Sequence, residues 1–344
     1  MNNQLNIIPR VETSTGLVNL ESFATSLDSS LSTLAGMKVF FRSDFSKEVI
    51  PLQNLESSGD ECPYRVRSFS PCSRERQVVA IDSTCALIGE TEDGAIFAGR
   101  VAVVSAKGSQ VRRYHRAGPF IFYMTMKYLT EEIRNTLPQK ALRAIASDNS
   151  IAEKFIRIQL ERSAQIISAK TNTDSIILVD GSLKSSSLES RGTGLRELED
   201  AADENHNQVV GIGKSSTLRL VSKAANRLQS IGSGETYFDI TDAMRIFFSS
   251  KDSRILVVKF SPNASVFRVD MSNRNSEEDS RVLGDVKGND LFFRGYPETL
   301  RLAHHLAVFD SSTISSIRGY LSKKYRLINI PSDDLRATIL GKLV

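Results

Sequence analysis

The chain has 344 residues, of which 40% are hydrophobic and 24% are charged, and its formal net charge is +4. This composition is ordinary for a globular protein, and the mild positive charge permits nucleic-acid binding without requiring it. No apolar run reaches the roughly 18 residues of a membrane span, and no signal-peptide pattern begins the chain, so we expect a cytoplasmic protein without membrane contact. The three cysteines form no CxxC pair, which argues against a disulfide framework and a structural zinc site.

The first third of the chain combines weak helical periodicity with a strong β pattern. Residues 1–35 predict an amphipathic helix or two, Met37–Phe41 a short strand, and 52–76 a polar loop. Three apolar stretches with short connections then predict an antiparallel meander. They are Gln77–Ile81, Ala95–Ala106 and Gln110–Arg116.

A helical insertion is predicted over about residues 119–170. Its last helix is expected to begin at the capping-box sequence Ser150-Ile-Ala-Glu153. The apolar run Ser175–Val179 follows without alternation, which is typical of a strand that is buried on both faces.

Beyond residue 180 the pattern alternates between helices and strands, and residues 271–289 are predicted to be a polar, mobile loop. A meander followed by such alternation predicts an α/β fold, namely an RNase H-like mixed sheet flanked by helices. The predicted helices are Leu195–Asn205, Thr217–Leu228 and Pro297–Phe309, and the predicted strands are Gln208–Lys214, Arg254–Phe260 and Ser265–Asp270.

Three regions follow from this order. Residues 1–75 form an N-terminal helical or extended segment, 76–330 the main domain with its helical insertion, and 331–344 a C-terminal tail.

Two aspartates stand at the ends of apolar strands: Asp82 follows QVVAI, and Asp180 follows SIILV. A buried carboxylate is costly unless it is paired or binds a metal. Two carboxylates at adjacent strand ends would repel each other, and a divalent cation would offset that repulsion. The alternative is a pair of turn or capping aspartates, which the sequence Asp180-Gly-Ser also suits.

Three further residues each have a chemical and an ordinary interpretation. Glu161 borders the apolar stripe of its helix, either as a metal ligand or as a solvated side chain. His304 lies on the apolar face of its helix, as a ligand, an acid–base group or a core histidine. Lys214 ends a strand and either contacts a phosphate or is an ordinary strand-end lysine. The surrounding sequence GIGKSS lacks the spacing of an ATP-binding loop.

A basic cluster surrounds Tyr114 and consists of Arg112, Arg113 and Arg116. Arginines beside an aromatic ring suit a nucleic-acid backbone and base stacking, so the cluster is a candidate DNA-binding site. The alternative is a solvated charged face.

Taken in chain order, these motifs resemble the NurA nuclease family over about residues 76–310. The family shows Asp-Gly-Ser at the first strand where this chain has Asp82-Ser-Thr, so the carboxylate is retained and the turn differs. The resemblance rests on Asp82 in AIDS, Glu161 in QLERSA, Asp180 in VDGSL, Lys214 in GIGKSS, and Tyr296 and His304 in YPETLRLAH.

The resemblance implies an Mn²⁺-dependent DNA nuclease, with Mg²⁺ as the alternative metal. Such an enzyme cleaves single-stranded DNA and resects duplex ends in the 5′ to 3′ direction during homologous recombination. It implies a homodimer that works with a HerA-like hexameric ATPase. Catalytic metal ligands are expected at Asp82, Glu161, Asp180 and His304, with Tyr296 and Lys214 in support.

Two other functions stay open. One is a non-catalytic platform on the same fold that binds DNA or an ATPase, and the other is an RNase H-like enzyme that acts on RNA.

Overall fold

The computed structural model describes residues 35–36, 38–39, 64–190, 193–214, 218–231, 234–245, 253–262, 264–272 and 278–329. The helices predicted within residues 1–35 fall outside these ranges except at the last residue, and the tail 331–344 lies outside them entirely.

The described residues form thirteen strands, most of which belong to one sheet. They are β1 (Lys38–Val39), β2 (Arg67–Ser68), β3 (Val78–Glu90), β4 (Gly94–Lys107), β5 (Gln110–Thr125), β6 (Ile176–Asp180), β7 (Gln208–Gly213), β8 (Thr236–Asp239), β9 (Ser253–Lys259), β10 (Val266–Ser272), β11 (Phe292–Phe293), β12 (Tyr296–Pro297) and β13 (Ile328–Asn329).

Nine of these strands form a mixed sheet in the order β2-β8-β9-β10-β7-β6-β3-β4-β5. Strands β3, β4 and β5 form the predicted antiparallel meander, while β6 runs parallel to both β3 and β7. The RNase H-like mixed sheet that the sequence predicts is therefore confirmed.

Helices cover both faces of this sheet, and none in the described part of the chain is long and apolar enough to cross a membrane. They are α1 (Met126–Glu131), α2 (Gln139–Ser147), α3 (Asn149–Thr171), α4 (Leu195–Glu204), α5 (Arg219–Ser230), α6 (Thr241–Arg245), α7 (Asp279–Asn289), α8 (Glu298–Ala307) and α9 (Ser311–Tyr325).

The core is divided by the sheet. Helices α3 and α4 pack on one face against β3 and β6, and α5 packs on the same side against β9. Helices α7 and α8 pack on the opposite face, and α9 packs against the far ends of β3 and β4. Residues of α8 thereby approach the middle of β3.

Strand β5 corrects the predicted start of the helical insertion. It continues to Thr125, so the helix predicted from residue 119 is wrong for residues 119–125, and α1 begins at Met126. Pro119 resembles a proline in a first helical turn. It lies instead in the edge strand of the sheet, where a missing N–H is tolerated.

The first turn of α3 also differs from the prediction. The helix begins at Asn149, and the Asp148 side chain accepts a hydrogen bond from the Ser150 backbone N–H at 2.7 Å. The capping box predicted at Ser150 is therefore wrong, because the aspartate two residues earlier supplies the N-cap equally well.

Helix α7 occupies residues 279–289 of the loop predicted over residues 271–289, so that prediction is wrong for those residues. Its polar side chains face inward: Asp285 accepts a hydrogen bond from Arg76 Nη1 at 3.3 Å, and Asn289 Oδ1 accepts one from the Arg76 backbone N–H at 2.9 Å. All three residues are buried. Because buried polar partners look the same in sequence as solvated ones, the pattern concealed the helix.

Candidate metal centre

The neighbouring strands β3 and β6 bring two predicted carboxylates together. The parallel pairing of these strands ends at Ile81 and Val179, and Asp82 and Asp180 are the next residues. Strand β3 continues to Glu90 alongside β4, whereas β6 ends at Asp180. The pairing of the two strands therefore stops at the aspartates, and both carboxylates lie beside the carboxyl end of β6.

Helix α8 adds an imidazole to the two carboxylates. Asp82, Asp180 and His304 each offer a ligand atom, and these atoms lie within 4.8 Å of one another. His304 Nδ1 is 2.8 Å from Asp82 Oδ2, and the His304 side chain is 48% exposed whereas that of Asp82 is 4% exposed. Two hard oxygens and one nitrogen fit Mn²⁺ or Mg²⁺, with the imidazole favouring Mn²⁺.

Two further predicted residues converge on Asp180. Lys214 Nζ is 2.7 Å from Asp180 Oδ2, and the Tyr296 hydroxyl donates a hydrogen bond to Asp180 Oδ1 at 3.1 Å. Lys214 also lies 5.2 Å from the centre of the Tyr296 ring. The ammonium group offsets the repulsion between the neighbouring carboxylates.

The Tyr296 hydroxyl is held in its protonated form. Burial raises its pKa far above the ordinary value, and the nearby Asp180 carboxylate raises it further. Tyr296 therefore acts as a donor to Asp180 throughout the physiological pH range.

Glu161 lies beside this trio and not within it. The Ser83 hydroxyl donates to Glu161 Oε2 at 3.0 Å, and Gln165 Nε2 donates to Glu161 Oε1 at 3.2 Å. Burial is the main cause that raises the pKa of Glu161 to about 7, and Asp82 raises it as well. A neighbouring cation would favour the charged form of this carboxylate.

The predicted DNA-binding arginines lie apart from the carboxylates. Arg112, Arg113 and Arg116 are exposed on the edge strand β5. Arg116 pairs with Ala102, which in turn pairs with Asp82, so Arg116 is two strands away from Asp82, roughly 10 Å between backbones.

Sequence reasoning missed a buried aspartate that supports the loop after β6. Asp270 Oδ2 accepts a hydrogen bond from the Leu183 backbone N–H at 3.1 Å, and Arg268 holds both Asp270 oxygens. Burial raises the pKa of Asp270, and Arg268 opposes this shift. The signal was present, because Asp270 lies in the apolar strand VFRVDMS.

Comparison with protein families gives one match. A family model described as the NurA domain matches residues 76–309, which is more than half of the chain. Comparison with the curated proteins gives no match.

Two solved structures illustrate the structural likeness. The chain is 14% identical to the NurA nuclease from Sulfolobus solfataricus, with a TM-score of 0.48, over 76% of this chain and 87% of that chain. It is 11% identical to a NurA bound to dAMP and manganese, with a TM-score of 0.42, over 71% of this chain and 88% of that chain.

Proposed function

Because the chain belongs to the NurA family, we propose that it is a metal-dependent deoxyribonuclease that hydrolyses phosphodiester bonds in DNA. The observation that supports this most is the convergence of Asp82, Asp180 and His304 at the end of the β3–β6 pair. These three residues would hold Mn²⁺, or Mg²⁺ in its place, and Glu161 would complete the set of carboxylates.

The residues around the centre have different roles. A divalent cation held by Asp82, Asp180 and His304 would supply Lewis-acid polarisation of the scissile phosphate. Tyr296 fixes the orientation of Asp180 through its hydroxyl hydrogen bond. Lys214 is 45% exposed beside Asp180, so its ammonium group is available to a phosphate that approaches from solvent. Asp270 and Arg268 hold the backbone that follows β6.

The proposed substrate preferences and partners rest on the resemblance to this family. We propose single-strand endonuclease and 5′ to 3′ exonuclease activity in end resection at double-strand breaks, with DNA contacts from Arg112, Arg113 and Arg116. We also propose a cytoplasmic homodimer that acts with a HerA-like hexameric ATPase, and a nuclease domain over residues 76–330. Light scattering of the purified chain and co-purification with such an ATPase would test the two assembly proposals.

Replacement of Asp82 or Asp180 by alanine should abolish DNA cleavage in Mn²⁺ while the fold is retained. Loss of a direct ligand should exceed the roughly 10- to 100-fold loss that is typical of outer-shell partners. Cleavage of a labelled oligonucleotide measures the effect, and circular dichroism checks the fold. The matched control is Asp203→Ala, which removes an exposed carboxylate at the end of α4.

Parental rates in either Asp82→Ala or Asp180→Ala would show that this centre is not the site of hydrolysis. A non-catalytic platform would bind DNA but cleave none at any Mn²⁺ concentration. Digestion of matched DNA and RNA oligonucleotides separates the deoxyribonuclease from an enzyme that acts on RNA.

A further inference from the structure

The short hairpin β11–β12 is firmly anchored beside the candidate metal centre. Phe292 packs against Phe260 with ring centroids 4.9 Å apart, and Tyr296 packs against Phe267 at 5.4 Å. At the turn, a Cβ on Gly295 would lie 2.6 Å from Ala264 Cβ. The hairpin therefore presents its outward side chains from a fixed backbone.

The turn has the geometry that tight hairpins require. Arg294 and Gly295 have φ angles of 53° and 84°, and positive φ at both central positions is typical of a type I′ turn. Arg294 adopts this angle although its side chain makes it less favourable than glycine. Its guanidinium is thereby placed at the exposed tip of the hairpin.

Phe293 is the exposed phenylalanine of this hairpin, and 54% of its surface is accessible. The other phenylalanines in the described part of the chain are buried or partly buried. The guanidinium carbons of Arg294 and Arg301 lie 5.5 and 5.3 Å from the centre of the Phe293 ring, within cation–π range. Glu298 accepts a hydrogen bond from Arg301 Nε at 2.7 Å and holds that guanidinium beside the ring.

The exposed ring is close to the residues of the centre. Phe293 and Tyr296 are directly paired across the hairpin, where Cβ atoms lie roughly 4.5–5.5 Å apart. The Tyr296 hydroxyl in turn donates to Asp180. A strand of nucleic acid with a phosphate at Asp180 would therefore pass the Phe293 ring.

We propose that Phe293 is a stacking platform for a nucleobase of single-stranded DNA, with Arg294 and Arg301 providing positive charge for the neighbouring phosphates. The proposal rests on the proposed function, since it assigns a substrate contact to the same site. An exposed aromatic ring between cations is the arrangement that binds single strands without sequence preference. Glu298 offsets one of the two arginine charges, and the remaining net positive charge beside the ring favours this polyanion over an apolar protein partner.

The chain contains no tryptophan, so Phe293→Trp introduces a single fluorescent reporter at the proposed platform. With EDTA present to prevent cleavage, oligothymidylate should quench its emission in a saturable manner, because a base stacks on the indole. An oligonucleotide of the same length with abasic sites should quench much less. The matched control is Met126→Trp, since Met126 is 55% exposed and begins α1, directly after the edge strand β5.

Kinetics provide the second measurement. Phe293→Ala should raise KM for a single-stranded oligonucleotide by roughly 5- to 100-fold, the range expected for loss of one stacked base, with little change in kcat. Phe293→Trp should restore the parental KM. Circular dichroism and thermal melting establish that Phe293→Ala is folded.

The outcomes separate the two proposals. Quenching by oligothymidylate without any cleavage by the parent supports the platform and contradicts the nuclease. Cleavage by the parent with no quenching, equal quenching by the abasic oligonucleotide, or an unchanged KM in Phe293→Ala overturns the platform. In those cases a protein partner becomes the better explanation for the exposed ring.

Discussion

Asp180 is held from two sides by groups of different chemistry. Lys214 offers a full positive charge at 2.7 Å, and Tyr296 offers a neutral hydroxyl donor at 3.1 Å. A charged partner competes with a metal ion for the carboxylate, whereas a neutral donor orients the carboxylate and leaves its charge intact. Tyr296 therefore belongs with the residues that tune a metal ligand.

Tyr296→Phe should weaken Mn²⁺ binding by roughly 10- to 100-fold, because the variant loses the donor that orients Asp180 but keeps the packed ring. The measurement is the Mn²⁺ concentration that gives half-maximal cleavage. Tyr320→Phe on α9 removes a hydroxyl far from the centre and is the control. An unchanged Mn²⁺ requirement in Tyr296→Phe would mean that the hydroxyl does not orient the ligand.

The packing of helix α7 depends on glycines, which carry no side chain. Its residues Gly284 and Gly288 face the segment 70–72, and the Gly284 carbonyl oxygen accepts a hydrogen bond from the Cys72 backbone N–H at 2.9 Å. A Cβ on Gly288 would lie 2.1 Å from the Cys72 carbonyl oxygen. Close backbone packing thus requires glycine at this position.

Two glycine substitutions should therefore have opposite effects on stability. Gly288→Ala should lower the free energy of unfolding by at least about 1–3 kcal/mol, because α7 must move away from Cys72. Gly319→Ala in α9 meets open space, so its higher helix propensity should raise that free energy by up to about 1 kcal/mol. Urea denaturation of both variants measures the effects. Changes of the same sign in the free energy of unfolding would contradict the packing argument.

The start of α8 carries a pH-dependent contact. Buried Asp290 accepts hydrogen bonds from the backbone N–H and the hydroxyl of Thr299. Burial nevertheless raises the pKa of Asp290 from 3.8 to about 7. Because the folded protein holds this proton more tightly than the unfolded chain, the stability due to Asp290 is lost as the pH rises through that interval.

Asp290→Asn should remove this loss, since the amide stays neutral and its oxygen can still accept from Thr299. The variant should therefore gain thermal stability relative to the parent at about pH 8, and gain less at about pH 5. Thermal unfolding at both pH values measures the difference. The same change in melting temperature at both would rule out titration of Asp290 in this range.

In the whole molecule, the candidate metal centre and the arginines of β5 lie apart. They are exposed on the edge strand, with β4 between them and the strand that carries Asp82. Such a placement suits contacts with a DNA backbone and no direct part in the chemistry.

Replacement of Arg112, Arg113 and Arg116 by glutamine should weaken DNA binding and its salt dependence together. Three lost phosphate contacts should reduce the slope of log K against log salt by about 2, at roughly 0.7 per contact for single strands. Fluorescence anisotropy in EDTA measures the slope. An unchanged slope would show that the cluster is only a solvated face. The control changes three exposed basic residues of the helical insertion: Lys127, Arg134 and Lys140.

The local sequence pattern was sufficient to predict the apolar runs of β3 and β6 and the aspartates that follow them. The apolar runs before Asp82 and Asp180 are continuous, and the structure buries both as neighbouring central strands. The same criterion, a carboxylate at or within an apolar run, also identifies Asp270. The second half of β5 was mistaken for a helix, because its edge-strand proline resembles a proline in a first helical turn. Helix α7 was mistaken for a loop, because its buried polar side chains resemble solvated ones.

The sequence by itself determined the apolar runs of the central strands and the aspartates that follow two of them. Only the tertiary structure decided that the ligand atoms of Asp82, Asp180 and His304 lie within 4.8 Å of one another, that Glu161 lies beside them, and that Phe293 is exposed near Tyr296. The physical reason is that periodicity records which side of an element is buried, whereas the partner that covers that side is chosen by pairing between distant segments.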